Sequence, residues 1–174
     1  MAAAGRSGIR VDVHGSGAAS VETGLPVLDH LLERLAQYAR FDLALEVEPD
    51  AAEAEVAEAG SALGRALAEP LRSDGACGYG FASMTSAEAL ASVVLEASDD
   101  PLVVSNVDLT QARIGGLATD VARRFLERLA EGAGLTLHVR LLNGTDTQHV
   151  LEAIFKALGV ALAQATSEGG VDGR

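Results

Sequence analysis

The chain repeats itself, and that limits its fold more than any other feature. Residues 31–48, LLERLAQYARFDLALEVE, align with residues 125–142, FLERLAEGAGLTLHVRLL, at an offset of 94 positions. One residue later in the frame, AEVAEAGSALGRAL (54–67) aligns with HVLEAIFKALGVAL (149–162), each block carrying an Ala-Leu-Gly triplet near its middle. Both copies read helix, strand, helix, and such self-similarity at a fixed offset marks a duplicated supersecondary unit. An amphipathic helix needs a surface to cover, and a half-buried sheet has one apolar face to offer. The expectation is an α+β fold of two repeated β-sheet/helix halves, packed as layers with pseudo-twofold symmetry. The halves are 1–76 and 77–166, one compact domain by duplication, with the Gly-rich polar segment 167–174 as a flexible tail.

Periodicity fills in the halves. Ile9, Val11 and Val13 alternate with polar residues, as in a strand with one buried face. A turn at Gly15–Gly17 leads to a second strand near Ala19–Thr23. Leu28, Leu31, Leu32 and Leu35 recur at helical spacing after Pro26, a favoured helix start. Phe41, Leu43, Leu45 and Val47 return to period two, and Val56, Ala59, Leu63 and Leu67 form the inner stripe of a second helix. After a Gly- and Ser-rich link (72–80), strands are expected at Gly80–Met84, Ala91–Leu95 and Leu102–Val107. A helix on Ala122, Phe125, Leu126 and Leu129 ends at Gly132 and Gly134. A strand through Leu135–Leu141 follows, then a last helix from about Asp146 to Ala165.

Composition narrows the function classes. The formal charge of −12 repels a phosphate backbone, so no nucleic-acid partner is expected. Cys77 is the single cysteine, which excludes an intrachain disulfide and fits a reducing compartment. Met1–Gly8 lacks the apolar core of a secretory signal, and no apolar run approaches the ~20 residues of a membrane span. A cytoplasmic location and no membrane partner are therefore expected. With aromatics at only 3% and no Trp, the core must be built of Leu, Val and Ala.

Few residues suggest chemistry. On the last helix, Leu151, Ile154 and Leu158 define a buried stripe, which puts His149, Glu152 and Lys156 together on the other face. His149 and Glu152 have the spacing to share a metal ion or a substrate, and Lys156 could meet a phosphate. Equally, Glu152 and Lys156 could be a solvated i,i+4 pair. Asp29 and His30 lie off the Leu stripe of the first helix, while His138 and Arg140 occupy the polar face of their strand. Glu88, beside a strand, is a candidate acid or base, or merely solvated.

These residues carry a resemblance. TGLPVLDHLLERLAQYARFDL (23–43), GLTLHVRLLNG (134–144) and QHVLEAIFKAL (148–158) resemble segments of imidazoleglycerol-phosphate dehydratase. SALGRAL (61–67), the YG at 79–80 and AEALASVVLE (87–96) fit the intervening pattern in order, so the likeness spans residues 9–165. It implies a metal-dependent hydro-lyase of histidine biosynthesis, with manganese held by paired HHxxE helices, one per half. It also implies homo-oligomers: trimers that assemble, with metal, into 24-subunit shells whose sites lie between subunits. The residual family ligands would be His30, His149 and Glu152, and the phosphate-binding residues Lys156 and Arg140.

Against that pattern the chain departs sharply. The first HHxxE falls on Glu53, Ala54 and Ala57, and Gln148 replaces the first His of the second. Tyr38 stands for a family His, Gly78 for an Arg, and Arg124 is the repeat partner of His30. A family Glu falls near Arg6, and Glu168 sits where a Lys would be sought. The expectation is a homologue without dehydratase turnover, in a ligand-binding, regulatory or scaffold role. No cofactor is expected, and the partners are a small phosphorylated ligand, further copies of the chain (a trimer favoured) or a paralogous dehydratase. The alternative is an active dehydratase whose divergent manganese site uses His30, His149, Glu152 and Glu53. A third reading gives the old surface a new activity with Glu88 as acid or base.

Overall fold

The structure, a computed structural model, describes residues 7–107, 113–114 and 117–168, with side chains from 7–107 and 122–168. Arg6 and residues 169–174 of the expected tail lie outside the described residues. The first half runs β1 (Gly8–Asp12), β2 (Ala19–Glu22), α1 (Pro26–Ala39), β3 (Asp42–Glu46) and α2 (Ala52–Ala68). A 3-10 turn at Pro70–Arg72 leads to β4 (Tyr79–Ser86), β5 (Ala89–Ala97) and β6 (Leu102–Ser105). A short hairpin, β7 (Arg113–Ile114) and β8 (Leu117–Ala118), precedes α3 (Thr119–Ala133), β9 (Leu135–Asn143) and α4 (Thr147–Thr166).

The repeat seen in the sequence is a repeat of topology. One sheet has the order β1-β3-β2, with β1 antiparallel and β2 parallel to β3. The other has the order β4-β5-β9-β6, with β5 antiparallel and β6 parallel to β9. So β5, β6, α3, β9 and α4 replay β1, β2, α1, β3 and α2, and β4 is an added edge strand. β3 and β9 are the central strands of these triplets, and their buried Leu43, Leu45, Leu137 and Val139 face the helices.

Each sheet carries its own pair of helices, α1 and α2 on one and α3 and α4 on the other, and the two pairs meet across the halves. α1 packs on α4, and α2 on α3. The pairing rests on glycines of the repeated Ala-Leu-Gly triplets. A Cβ on Gly64 would come 2.6 Å from the Leu129 carbonyl oxygen and 2.9 Å from the Ala133 nitrogen. A Cβ on Gly159 would overlap the Leu35 carbonyl oxygen and lie 3.1 Å from the Ala39 nitrogen. Without side chains at these two points, the helix backbones can approach this closely.

The bounds of three strands also move. β6 stops at Ser105 rather than Val107 because the Asn106 side chain takes over the ladder. Its Nδ2 donates to the Leu141 carbonyl at 3.2 Å, and its Oδ1 accepts from the Leu141 amide at 2.8 Å. β4 and β5 are longer than expected and form a hairpin closed by Ala87 and Glu88, with Ala87 in the left-handed region at φ 50. No helix among the described residues is long and apolar enough to cross a membrane.

Candidate functional site

α1, the β4–β5 turn and the start of α4 meet at one end of the helix layer. Asp146 caps α4, its carboxylate accepting from the His149 amide at 3.1 Å. The next turns of α4 bring His149, Glu152 and Lys156 toward α1 and β4. These three do not line an open, wet face as the periodicity suggested, because β4 covers that side of α4 and leaves each of them only partly exposed.

Each polar group there has a partner from another element. Glu152, with only 15% of its side chain exposed, places Oε2 3.3 Å from Nε2 of His30 on α1. Its Oε1 lies 4.0 Å from Nε of Arg34 and accepts from the Ser86 hydroxyl at 3.5 Å. Lys156 does not pair with Glu152. Its Nζ donates to the Thr85 carbonyl at 3.0 Å and sits 5.3 Å from the centre of the Tyr38 ring, within cation–π range.

Glu88 holds the other histidine. Its Oε2 accepts from the backbone N–H groups of Asp146 at 2.9 Å and Thr145 at 3.2 Å, and its Oε1 lies 2.6 Å from Nδ1 of His149. Those backbone donors, Asp146 first, together with His149 lower the Glu88 pKa to about 2. Reciprocally, the Glu88 hydrogen bond raises the His149 pKa above its ordinary value, with help from Asp146 and Glu152 against some desolvation. A carboxylate held this far down is a weak proton acceptor at neutral pH. The geometry gives Glu88 the part of orienting an imidazole, as carboxylates do behind ligating histidines.

Other candidates fall elsewhere. Asp29 is committed to structure, its Oδ1 accepting from the Thr23 amide at 2.9 Å and the Thr23 hydroxyl at 2.5 Å, which anchors the start of α1. Arg140 and His138 are exposed on the side of β9 opposite its buried Leu137 and Val139. Within one chain Arg140 therefore does not converge with Lys156. Glu53 and Ala54 are exposed at the start of α2, and the repeat offsets place Arg124 on α3 where α1 has His30, and Ala54 and Ala57 on α2 where α4 has His149 and Glu152. Sequence reasoning passed over Arg34 and Ser86. Arg34 lies one helical turn beyond His30, but its partner is Glu152 on α4, which spacing along α1 does not reveal.

Comparison with known proteins now adds to the geometry. The family model of imidazoleglycerol-phosphate dehydratase matches residues 23–162. The chain belongs to the imidazoleglycerol-phosphate dehydratase family. It is 42% identical over 158 residues to the dehydratase of Syntrophobacter fumaroxidans, covering 88% of this chain and 80% of that one. To the dehydratase of Aromatoleum aromaticum it is 41% identical over 160 residues, covering 90% and 82%. The fold is that of the Staphylococcus aureus dehydratase structure, at a TM-score of 0.86 and 26% identity over 95% of both chains. The Pyrococcus furiosus structure gives a TM-score of 0.83 at 29% identity over 94% of this chain and 90% of that one.

The manganese centre implied by the resemblance can be tested against this dehydratase-family chain's own donors. Among the described residues no group of three or more His, Cys, Asp and Glu side chains could hold a metal ion. Ala54 and Ala57 offer no lone pairs, Arg124 is a cation, and a guanidinium already faces Glu152. A symmetric assembly brings further copies of the same residues and restores none of these donors. Within one copy, the described residues do not supply the roughly three protein ligands per ion that a family-type metal pair needs.

Proposed function

We propose that this chain is a histidine-biosynthesis dehydratase homologue that no longer turns over imidazoleglycerol phosphate and retains a ligand-binding, regulatory or scaffold role. The observation that carries the reading is the asymmetry of the two helix pairs related by the repeat. The α1/α4 pair keeps His30, His149 and Glu152, and the α2/α3 pair has Arg124, Ala54 and Ala57 at the matching positions. Losing one ligand weakens a metal site; losing all three matching donors removes it.

Lys156 keeps its place on the shoulder of the cluster and is the residue proposed to meet a phosphate. Arg140, on the outer sheet face, would reach such a ligand only if supplied by another copy. Self-association is supported by that same face. In register, Phe81, Val94, His138 and Val104 form one row across four strands, flanked by exposed Tyr79 and Leu102. A contiguous apolar patch of this kind suits a contact with a further copy or a paralogous dehydratase. A trimer is the proposed form. A cytoplasmic location is proposed from the single cysteine and from the biosynthetic role of the family.

A specific observation favours a second reading, an active dehydratase with a divergent manganese site. Identity of 42% runs over 88% of the chain, and the retained His30 and Glu152 are in contact, with His149 three residues before Glu152 on α4. The deciding experiment is an assay of manganese-supplemented protein with imidazoleglycerol phosphate, run beside calorimetric titration of the same compound. No turnover above the uncatalysed rate is expected, with saturable binding that is lost in Lys156→Ala. Robust turnover would overturn the first reading and establish the second.

A further inference from the structure

The salt bridge between α1 and α4 has the charge arrangement of a metal site without its metal. Glu152 is poorly exposed, and a carboxylate in that setting needs a nearby positive charge. His30 touches one of its oxygens, and Arg34, one helical turn further along α1, faces the other. The guanidinium is fixed from behind, its Nη1 donating to Gln37 Oε1 at 3.0 Å. Its Nε is buried without a hydrogen-bond partner and lies 4.0 Å from Glu152 Oε1, beyond hydrogen-bond range but within that of an ion pair. The other nearby cation, Lys156, contacts the Thr85 carbonyl and the Tyr38 ring rather than Glu152.

We infer that Arg34 is a built-in replacement for a divalent cation: its guanidinium serves as the counter-charge of Glu152 and excludes a metal ion from the His30–Glu152 pair. A divalent ion held by Nε2 of His30 and the Glu152 carboxylate would sit a few ångströms from that guanidinium. Like charges so close in a partly dehydrated site repel strongly. On α3, Arg124 stands at the place related to His30, while the counterpart of Arg34 is Arg128, whose ion pair is with Glu131. Arg34 is thus a positioning residue: it keeps the Glu152 carboxylate in place without metal, and His30 with it. The inference deepens the metal-poor reading of the site and rests on it.

The test is manganese binding by the full chain, read by calorimetry and elemental analysis, with thermal unfolding in chelator as a second readout. The wild type should show no saturable binding of Mn²⁺ below millimolar concentration and no shift of its unfolding midpoint with chelator or Mn²⁺. Arg34→Gln and the isosteric Arg34→Met should unfold at lower temperature in chelator, recover with Mn²⁺, and bind it at least about tenfold more tightly. Adding Glu152→Gln should cancel that gain. Arg34→Lys keeps the charge and is expected to fold and exclude the ion, so it carries the test alone if the neutral variants do not fold. Neutral variants within twofold of wild type, or a Lys variant that gains affinity, overturn the inference. Tight stoichiometric Mn²⁺ in the wild type overturns both it and the metal-poor reading. Turnover of imidazoleglycerol phosphate without bound metal overturns only the proposed loss of activity.

Discussion

Nδ1 of His149 lies 2.6 Å from Oε1 of Glu88, joining the first turn of α4 to the tip of the β4–β5 hairpin. Glu88 is lowered to about 2 and His149 is raised, so the two titrate away from each other. The stabilisation from His149 is present below its ordinary value of 6.5 and is lost as pH rises through its higher folded value. That from Glu88 is present above 4.5 and is lost as pH falls toward 2. An NMR titration should therefore find His149 protonating above 6.5, and Glu88→Gln should bring it back toward 6.5. A His149 that titrates identically in both proteins would remove this contact from solution.

The helix crossings predict a stability effect. Gly64→Ala and Gly159→Ala each push a methyl group onto the backbone of a neighbouring helix. Overpacking of about 1–3 kcal/mol opposes a gain of roughly 1 kcal/mol in helix propensity, and rigid backbone gives way less readily than side chains. Each substitution should lower the unfolding free energy by about 1–2 kcal/mol in urea titrations. Because the sites are related by the repeat, the two effects should be similar in size.

How far the sequence disclosed this architecture depends on what each element rests on. The halves were legible because LLERLA and FLERLA occupy equivalent buried turns, and local periodicity survives in the fold. The β4–β5 hairpin was blurred because Ala87 takes a left-handed conformation that usually signals Gly or Asn. The site was legible only in part. His149, Glu152 and Lys156 share the polar side of α4, but spacing along one helix does not reveal that β4 lies over it. Nor does it show that Glu152 finds His30 on an element 122 positions away. Arg34 matters only through that long-range contact, so local pattern gave it no weight.

Arg72 joins the halves and makes a further prediction. Its guanidinium donates to the Ala133 carbonyl at 2.7 Å and the Gly134 carbonyl at 2.8 Å, closing the C-terminal end of α3, and to Ser98 and Ala68 at 3.3 Å. Arg72→Ala leaves those acceptors to water and should lower stability by about 1–3 kcal/mol. Arg72→Lys, without the planar fork, should recover only part of that, as measured by thermal unfolding.

The outer face of the larger sheet predicts assembly. Phe81, 57% exposed, ends this apolar row on the edge strand β4. Phe81→Glu should leave the fold intact by circular dichroism and reduce the mass measured by light scattering. An unchanged mass would place the contact between copies on another surface.

Because α1 leans on α4 and α2 on α3, neither half can bury its own helices. A single half, alone, would have to find a second, and the two would lock as an exchanged pair about a twofold axis. The present polypeptide therefore has the form of a fused homodimer, its two protomer-like units tied by the 72–80 link. The α1–α4 cluster is consequently shared between the units, His30 coming from the first and His149 and Glu152 from the second.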